Sequence, residues 1–256
     1  MFAEHTIQIS CMIQILKNSN TGTKDPGNVV VLMTLAPERN GSVHFIRQLR
    51  RLGVKVAIGH TLASSDQLHA AILAGADMST HLGNGAPSMI HRWDNFIFRQ
   101  LADDRLWAMV IADGDHLPDS NLRIWFRTKG RRRLVLISDM ASHAGLPCGV
   151  YQRPDATEVQ VEETGQIVVN DGSKSLAGAG HGLDRGIAKA LTIGVFNLAE
   201  CLSLATHNPA GYMGLGHLGG LEAGKEASMF LFERDIGSTL KVRHTILAGE
   251  PVYDGS

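Results

Sequence analysis

Five short apolar runs in this chain each stop abruptly at a polar side chain capable of chemistry. "VVVLMTLAPE" ends at Glu38, "VKVAIGH" at His60, "DMSTH" at His81 and "RLVLISD" at Asp139, while "LWAMVIADGDH" runs into Asp113 and His116. Neutral imidazoles are good ligands for Zn²⁺, and a catalytic zinc takes about three protein ligands and keeps one position open for water. Zinc lowers the pKa of that water to about 7, and a nearby carboxylate can carry its proton to a leaving amine. His60 and His81 are therefore candidate metal ligands, Asp139 a candidate general acid and base, and His116 a candidate hydrogen-bond partner for a substrate carbonyl or hydroxyl. Taken singly, each has an ordinary explanation as a packed histidine or a turn-capping carboxylate. Shared placement at strand ends is what sets them apart.

The elements that must position them can be read from the same runs. Apolar stretches without alternation fit strands buried on both faces, as in a parallel sheet. Between His60 and His81, Ser64 and Gln67 have capping-box spacing, Leu68, Ala71 and Ile72 form a helical stripe, and Gly75 is a stop signal. Before "VKVAIGH", Phe45, Ile46, Leu49 and Leu52 repeat the helical spacing and end at Gly53. Such βαβ units build a (β/α)₈ barrel, in which catalytic residues come from the carboxyl ends of different strands on one face. His44 and His69 fall on the helices and are expected at the surface. After Asp139, "TEVQVEETGQIVVNDGS" alternates like a hairpin with Asn170, Asp171 and Gly172 as turn residues. "SLAGAGHGLDRG" is a glycine-rich loop leading into a helix, but no strand feeds it directly, so it does not read as a dinucleotide fingerprint. The remainder reads as short strands with glycine turns.

Composition narrows the function classes. The 256 residues, 44% of them apolar, suffice for one large domain or two small ones. Their 24 basic and 25 acidic side chains nearly cancel, so no field steers the chain toward nucleic acid or an anionic membrane. The basic run "KGRRR" at 129–133 reads as a solvated loop. Cys11, Cys148 and Cys201 are few and widely spaced, which fits a reducing cytoplasm and no disulfide framework. No stretch approaches the roughly 20 apolar residues of a membrane span, and Glu4, His5, Gln8 and Gln14 interrupt the amino-terminal run, so no signal peptide is expected.

Several segments together resemble one family. "TLAPE", "GHTLAS", "THLGNGAP", "HRWDN", "IADGDH", "LISDMAS", "SLAG" and "ATHNPAGYMGLGHLGGLEAGKEA" occur in the order and spacing seen in N-acetylglucosamine-6-phosphate deacetylases of the amidohydrolase superfamily, from about Val29 to Asp254. The resemblance implies an α/β fold, a (β/α)₈ TIM-type barrel with a small β-domain at the carboxy terminus. It implies metal-dependent removal of acetate from an N-acetyl amino-sugar phosphate, with zinc the expected metal. By motif, His60 and His81 match the metal-binding histidines and Asp139 the general acid and base. Asn84 and Gly85 match the phosphate-binding pair, and Arg92 an arginine that reaches the substrate of a neighbouring subunit, which implies a homodimer. Asp113, Gly114 and His116 match a substrate-contacting segment, and Leu176, Ala177 and Gly178 a loop over the sugar.

Other features depart from the family. Its third metal ligand, a glutamate in an HLEGP motif, has no counterpart here, and His5 has no partner for an HxH pair. The chain is thus expected to begin inside the barrel, with early strands missing: a divergent segment over 1–28, a partial barrel over 29–213, and a last barrel-flanking segment with small β-domain strands over 214–256. Glu38 could replace the missing ligand, although TLAPE stands beside the usual glutamate in the family. Trp93, Asp94 and Asn95 replace E-P-G, and "LAGAG" replaces LAGS, both on the substrate side. Two alternatives stay open: a catalytically impaired or non-catalytic remnant of such a deacetylase, and an amidohydrolase acting on another amide.

Overall fold

The computed structural model describes residues 30–233 and 239–255; the expectation for 1–28 lies outside them. Five strands form one sheet in chain order: β1 (Leu32–Leu35), β2 (Lys55–Ile58), β3 (Met78–Ser79), β4 (Trp107–Ile111) and β5 (Leu134–Ile137). The pairings of β1 with β2, β2 with β3 and β3 with β4 are parallel. Parallel neighbours need a crossover, and helices supply it: α1 (Ser42–Arg51), α2 (Ser65–Ala74), α3 (Phe96–Ala102) and α4 (Asp119–Lys129). Val56, Ala57 and Ile58 of β2 and Ala108 to Ile111 of β4 are all buried, as the unbroken apolar runs required. The architecture is an incomplete (β/α)₈ barrel with a small β-domain.

The chain divides into two compact units, residues 1–108 and 109–256, with β4 crossing the division. In the first, Ile46 and Leu49 of α1, Leu68 and Ala71 of α2 and Phe96 of α3 pack with Val56 and Ile58 of β2 into one core. Ser64 caps α2 by accepting from the Gln67 N–H while the Gln67 side chain accepts from the Ser64 N–H, and Gly75 closes the helix in the left-handed conformation. The helix α3 carries no periodic signal, being seven residues long; Asn95 starts it by accepting from the Ile97 and Phe98 N–H groups.

In the second unit an antiparallel sheet of β6 (Gly149–Gln152), β7 (Glu158–Val161) and β8 (Ile167–Val169) follows β5. The hairpin of β7 and β8 turns at 162–166, where Gly165 has φ +84°, and not at Asn170, Asp171 and Gly172; these make a second turn, after β8. Alternation on both sides of two turn-rich segments could not rank one above the other. Three helices come next, α5 (Leu183–Thr192), α6 (Leu198–Ala205) and α7 (His207–Met213). The last elements are β9 (Met229–Glu233), β10 (Lys241–Leu247) and β11 (Glu250–Asp254), an antiparallel sheet in which no described residue is buried. Arg131, Arg132 and Arg133 are exposed as expected, but Lys129 ends α4 with its residue 7% exposed. Among the described residues no helix is long and apolar enough to cross a membrane.

Candidate active site

His60 lies two residues beyond β2 and His81 two beyond β3. The pairing of adjacent parallel strands brings their imidazoles together, Nε2 to Nε2 at 2.9 Å, with the rings edge to face. His81 is buried and His60 exposed. Both backbones have positive φ, 49° for His60 and 28° for His81, and Asp139 has φ 55°. Such conformations cost a non-glycine residue about 1–3 kcal/mol and cluster where function demands a side-chain direction. Three of the residues singled out in the sequence thus share an uncommon backbone state.

The surroundings hold that state. The Thr34 and Thr80 hydroxyls, both buried, are hydrogen-bonded at 2.9 Å across the strand before His60. Only a glycine fits at position 59 between them, because a Cβ there would lie 2.8 Å from Thr34 Cγ2 and from Thr80 Cβ. Gly85, at φ +66°, lies against the His60 ring: an added Cβ would be 2.9 Å from Nδ1. Asn84 donates its N–H to the His81 carbonyl, and its side-chain Nδ2 is buried with no hydrogen-bond partner among the described residues. Such a donor is suited to an anionic oxygen. Arg92 is exposed, on a loop where the Asp94 N–H donates to His91 Nδ1 and the Asn95 amide to the His91 carbonyl.

The donor set fits part of a metal site. Two imidazole nitrogens facing one point match two positions of a divalent ion such as zinc, whose nitrogens would stand roughly 3.3 Å apart at tetrahedral angles and bonds of about 2.0–2.1 Å. Among the described residues no group of three or more His, Cys, Asp or Glu could hold a metal ion. Glu38 is committed elsewhere, its Oε2 accepting from the Thr61 hydroxyl at 2.5 Å and its Oε1 from the Leu62 N–H at 2.8 Å. It fixes the segment after His60.

The second unit holds the other candidates. Asp113 Oδ1 accepts from the Asp115 and His116 N–H groups, and its Oδ2 meets His116 Nδ1 at 2.7 Å. Burial pushes the Asp113 carboxyl up, but the His116 ring and these two N–H groups outweigh it and hold the carboxyl below the usual range. An ionised Asp113 keeps the proton on Nδ1 and leaves Nε2 of His116 as the acceptor nitrogen. Asp139, just past β5, accepts the Ala179 N–H at its carbonyl, and the Ala141 N–H returns to the Ala179 carbonyl. This parallel bridge sets Gly178 against Asp139, while Leu176 and Ala177 pair with β8 through Val168 and Ile167. Sequence reading missed Asp115, which receives Gln166 and Arg185 and lies near His181. Partners 51 and 70 residues away leave no local trace.

No profile of a known protein family matches the chain. Individual relatives do. An N-acetylgalactosamine-6-phosphate deacetylase of Escherichia coli O157:H7 is 34% identical over 199 residues, which is 77% of this chain and 52% of that protein. An N-acetylglucosamine-6-phosphate deacetylase of Vibrio furnissii is 32% identical over 230 residues, 90% of this chain and 55% of that one. Among solved structures, the N-acetyl-D-glucosamine-6-phosphate deacetylase of Mycobacterium smegmatis superposes with a TM-score of 0.78 at 33% identity, over 89% of this chain and 59% of that chain. A mutant of the same enzyme, solved in complex with N-acetyl-D-glucosamine-6-phosphate, gives 0.77 at 33% identity over 87% and 57%. The chain therefore spans about half the length of the relatives it matches.

Proposed function

Because the chain belongs to the N-acetylglucosamine-6-phosphate deacetylase family of the amidohydrolase superfamily, we propose that it hydrolyses the acetamido group of an N-acetyl amino-sugar phosphate. Water adds to the acetamide carbonyl carbon, the C–N bond breaks, and acetate and a free amine result. Asp139 takes a proton from the attacking water and returns it to the departing nitrogen. His60 and His81 would hold a divalent metal, zinc in our reading, which when bound polarises the carbonyl and acidifies water. His116 Nε2 accepts a hydrogen bond from a substrate hydroxyl beside the Asp113 turn, and Gly114 lets that turn form. Asn84 Nδ2 and the Gly85 backbone take the phosphate, and Leu176, Ala177 and Gly178 line the sugar. Arg92, exposed on its loop, reaches the phosphate in a second subunit of a homodimer. We read 29–213 as barrel and 214–256 as barrel-flanking segment and small β-domain, in a cytoplasmic protein whose described cysteines are both free.

The facing imidazoles of His60 and His81, at 2.9 Å on strained backbone, carry this reading. Acetate release from N-acetylglucosamine 6-phosphate, measured beside the unphosphorylated sugar, tests it. A preference for the phosphorylated sugar is expected, together with loss of bound metal in His60→Ala. Equal rates would remove the roles given to Asn84 and Arg92. One observation favours a second reading, a non-catalytic remnant: no third ligand joins the two histidines among the described residues. Binding of the sugar phosphate without acetate release, at saturating zinc, would decide for it.

A further inference from the structure

The turn that carries His116 is hydrogen-bonded from two later parts of the chain, and a third lies beside it. Arg185, on α5, donates Nε–H to the Asp113 carbonyl at 2.7 Å and Nη2–H to Asp115 Oδ1 at 3.2 Å. Gln166, at the end of the β7 to β8 turn, donates Nε2–H to the same Asp115 oxygen at 2.8 Å. His181, from the glycine-rich loop before α5, stands with Nε2 3.6 Å from Asp115 Oδ2. The Asp115 side chain is only 12% exposed, so these contacts are largely shielded from water. Their platform is tight: a Cβ on Gly180 would fall 1.7 Å from the Gly165 carbonyl oxygen, so the hairpin turn and the loop meet backbone to backbone.

We propose that Asp115, held by Arg185 and Gln166, is a positioning residue that fixes the direction of the His116 imidazole. The Asp113 to His116 hydrogen bond sets which nitrogen carries the proton, but a four-residue turn on its own can still tilt. Arg185 bridges two points of the turn, the Asp113 carbonyl and the Asp115 carboxylate, and its planar fork leaves little freedom between them. In this role Asp115 acts through His116. This rests on the substrate role given to His116 above.

The test uses Asp115→Ala, Asp115→Asn and Arg185→Met in the full chain, with two readouts. The first is the His116 ring Cε1–H signal in the NMR spectrum, assigned by its loss in His116→Gln. Asp115→Ala and Arg185→Met should shift or broaden it, while Asp115→Asn, which keeps an acceptor oxygen for Gln166 and Arg185, should leave it near its wild-type position. The second is acetate release: KM for N-acetylglucosamine 6-phosphate should rise about tenfold with kcat changed far less, since a lost ground-state contact weakens binding. A purely structural role would lower the active fraction, and so kcat, at constant KM. An unmoved His116 signal in both Asp115→Ala and Arg185→Met overturns the proposal, as does a fall in kcat alone. If Asp115→Ala fails to fold, Arg185→Met against Asp115→Asn carries the comparison. If the wild type releases no acetate, the deacetylase reading fails, and the His116 signal alone judges the clamp.

Discussion

Gly59→Ala should disturb the metal end of the site by steric pressure alone. Gly59 does not have positive φ, so alanine brings no backbone strain, and its whole cost is the added methyl. That carbon would sit 2.8 Å from Thr34 Cγ2 and 2.8 Å from Thr80 Cβ, where carbon contacts favour about 3.5–4.0 Å. About 0.7 Å must be found on each side. Neither threonine can swing away freely, because both are buried and their hydroxyls are bonded to each other. Overpacking costs about 1–3 kcal/mol and loss of the hydroxyl pair about 1 kcal/mol more, or roughly 2–4 kcal/mol together. For a chain of this size that lowers Tm by roughly 5–15 °C. His60 is the next residue, and displacements approaching 1 Å can cost about a hundredfold in rate, so acetate release should fall by tens of fold. Urea unfolding followed by far-UV circular dichroism gives the stability, and Thr34→Ser, which removes Cγ2 and keeps the hydroxyl, should restore part of it in the double variant. Stability of Gly59→Ala within about 0.5 kcal/mol of wild type would refute the reasoning.

Asp113→Asn should cost about 2 kcal/mol at pH 6, the scale of hydrogen bonds to a charged acceptor. Because the folded-state pKa of Asp113 is lowered, its stabilisation is present above the ordinary aspartate value of about 3.9 and is lost as pH falls through the lower folded value. Urea midpoints of the two proteins should therefore converge in strong acid, and a difference constant with pH would contradict this. Ser64→Ala removes the acceptor of the α2 capping box and should destabilise by about 1 kcal/mol in the same assay, with KM unchanged. Burial, assisted by Glu200, pushes the Cys201 thiol up to about 11, so iodoacetamide at pH 8 should modify exposed Cys148 and spare Cys201 until the chain unfolds, as read by peptide mass. Labelling of Cys201 in the native protein would count against its burial.

Local pattern was enough for some parts of this protein. Unbroken apolar runs marked β2, β4 and β5 because strands buried on both faces leave no room for alternation, and β1, only partly buried at the edge of the sheet, carries the same kind of run. The capping box of α2 needs only Ser64, Gln67 and Gly75, all within one helix, and each sits where its chemistry required. The polar residues that end those runs, His60, His81, Asp113, His116 and Asp139, could be picked out because strand ends are where a barrel carries its chemistry. By contrast, α3 is too short for a period to show, and two turn-rich segments near β8 looked equally able to make the hairpin.

Tertiary structure decided everything that depends on residues distant in the chain. Register between β2 and β3 turned two separate histidines into a pair with nitrogens 2.9 Å apart. The same packing gave Glu38 to Thr61 and Leu62, and among the described residues no third ligand joins the two histidines. Asp115 carried no signal of its own, since its partners Gln166 and Arg185 reach it only once the hairpin and α5 have folded against the β4 turn. Periodicity and capping act over a few residues and are written locally. Side-chain contacts across a sheet or between loops depend on where the whole backbone goes, and no short stretch contains that information.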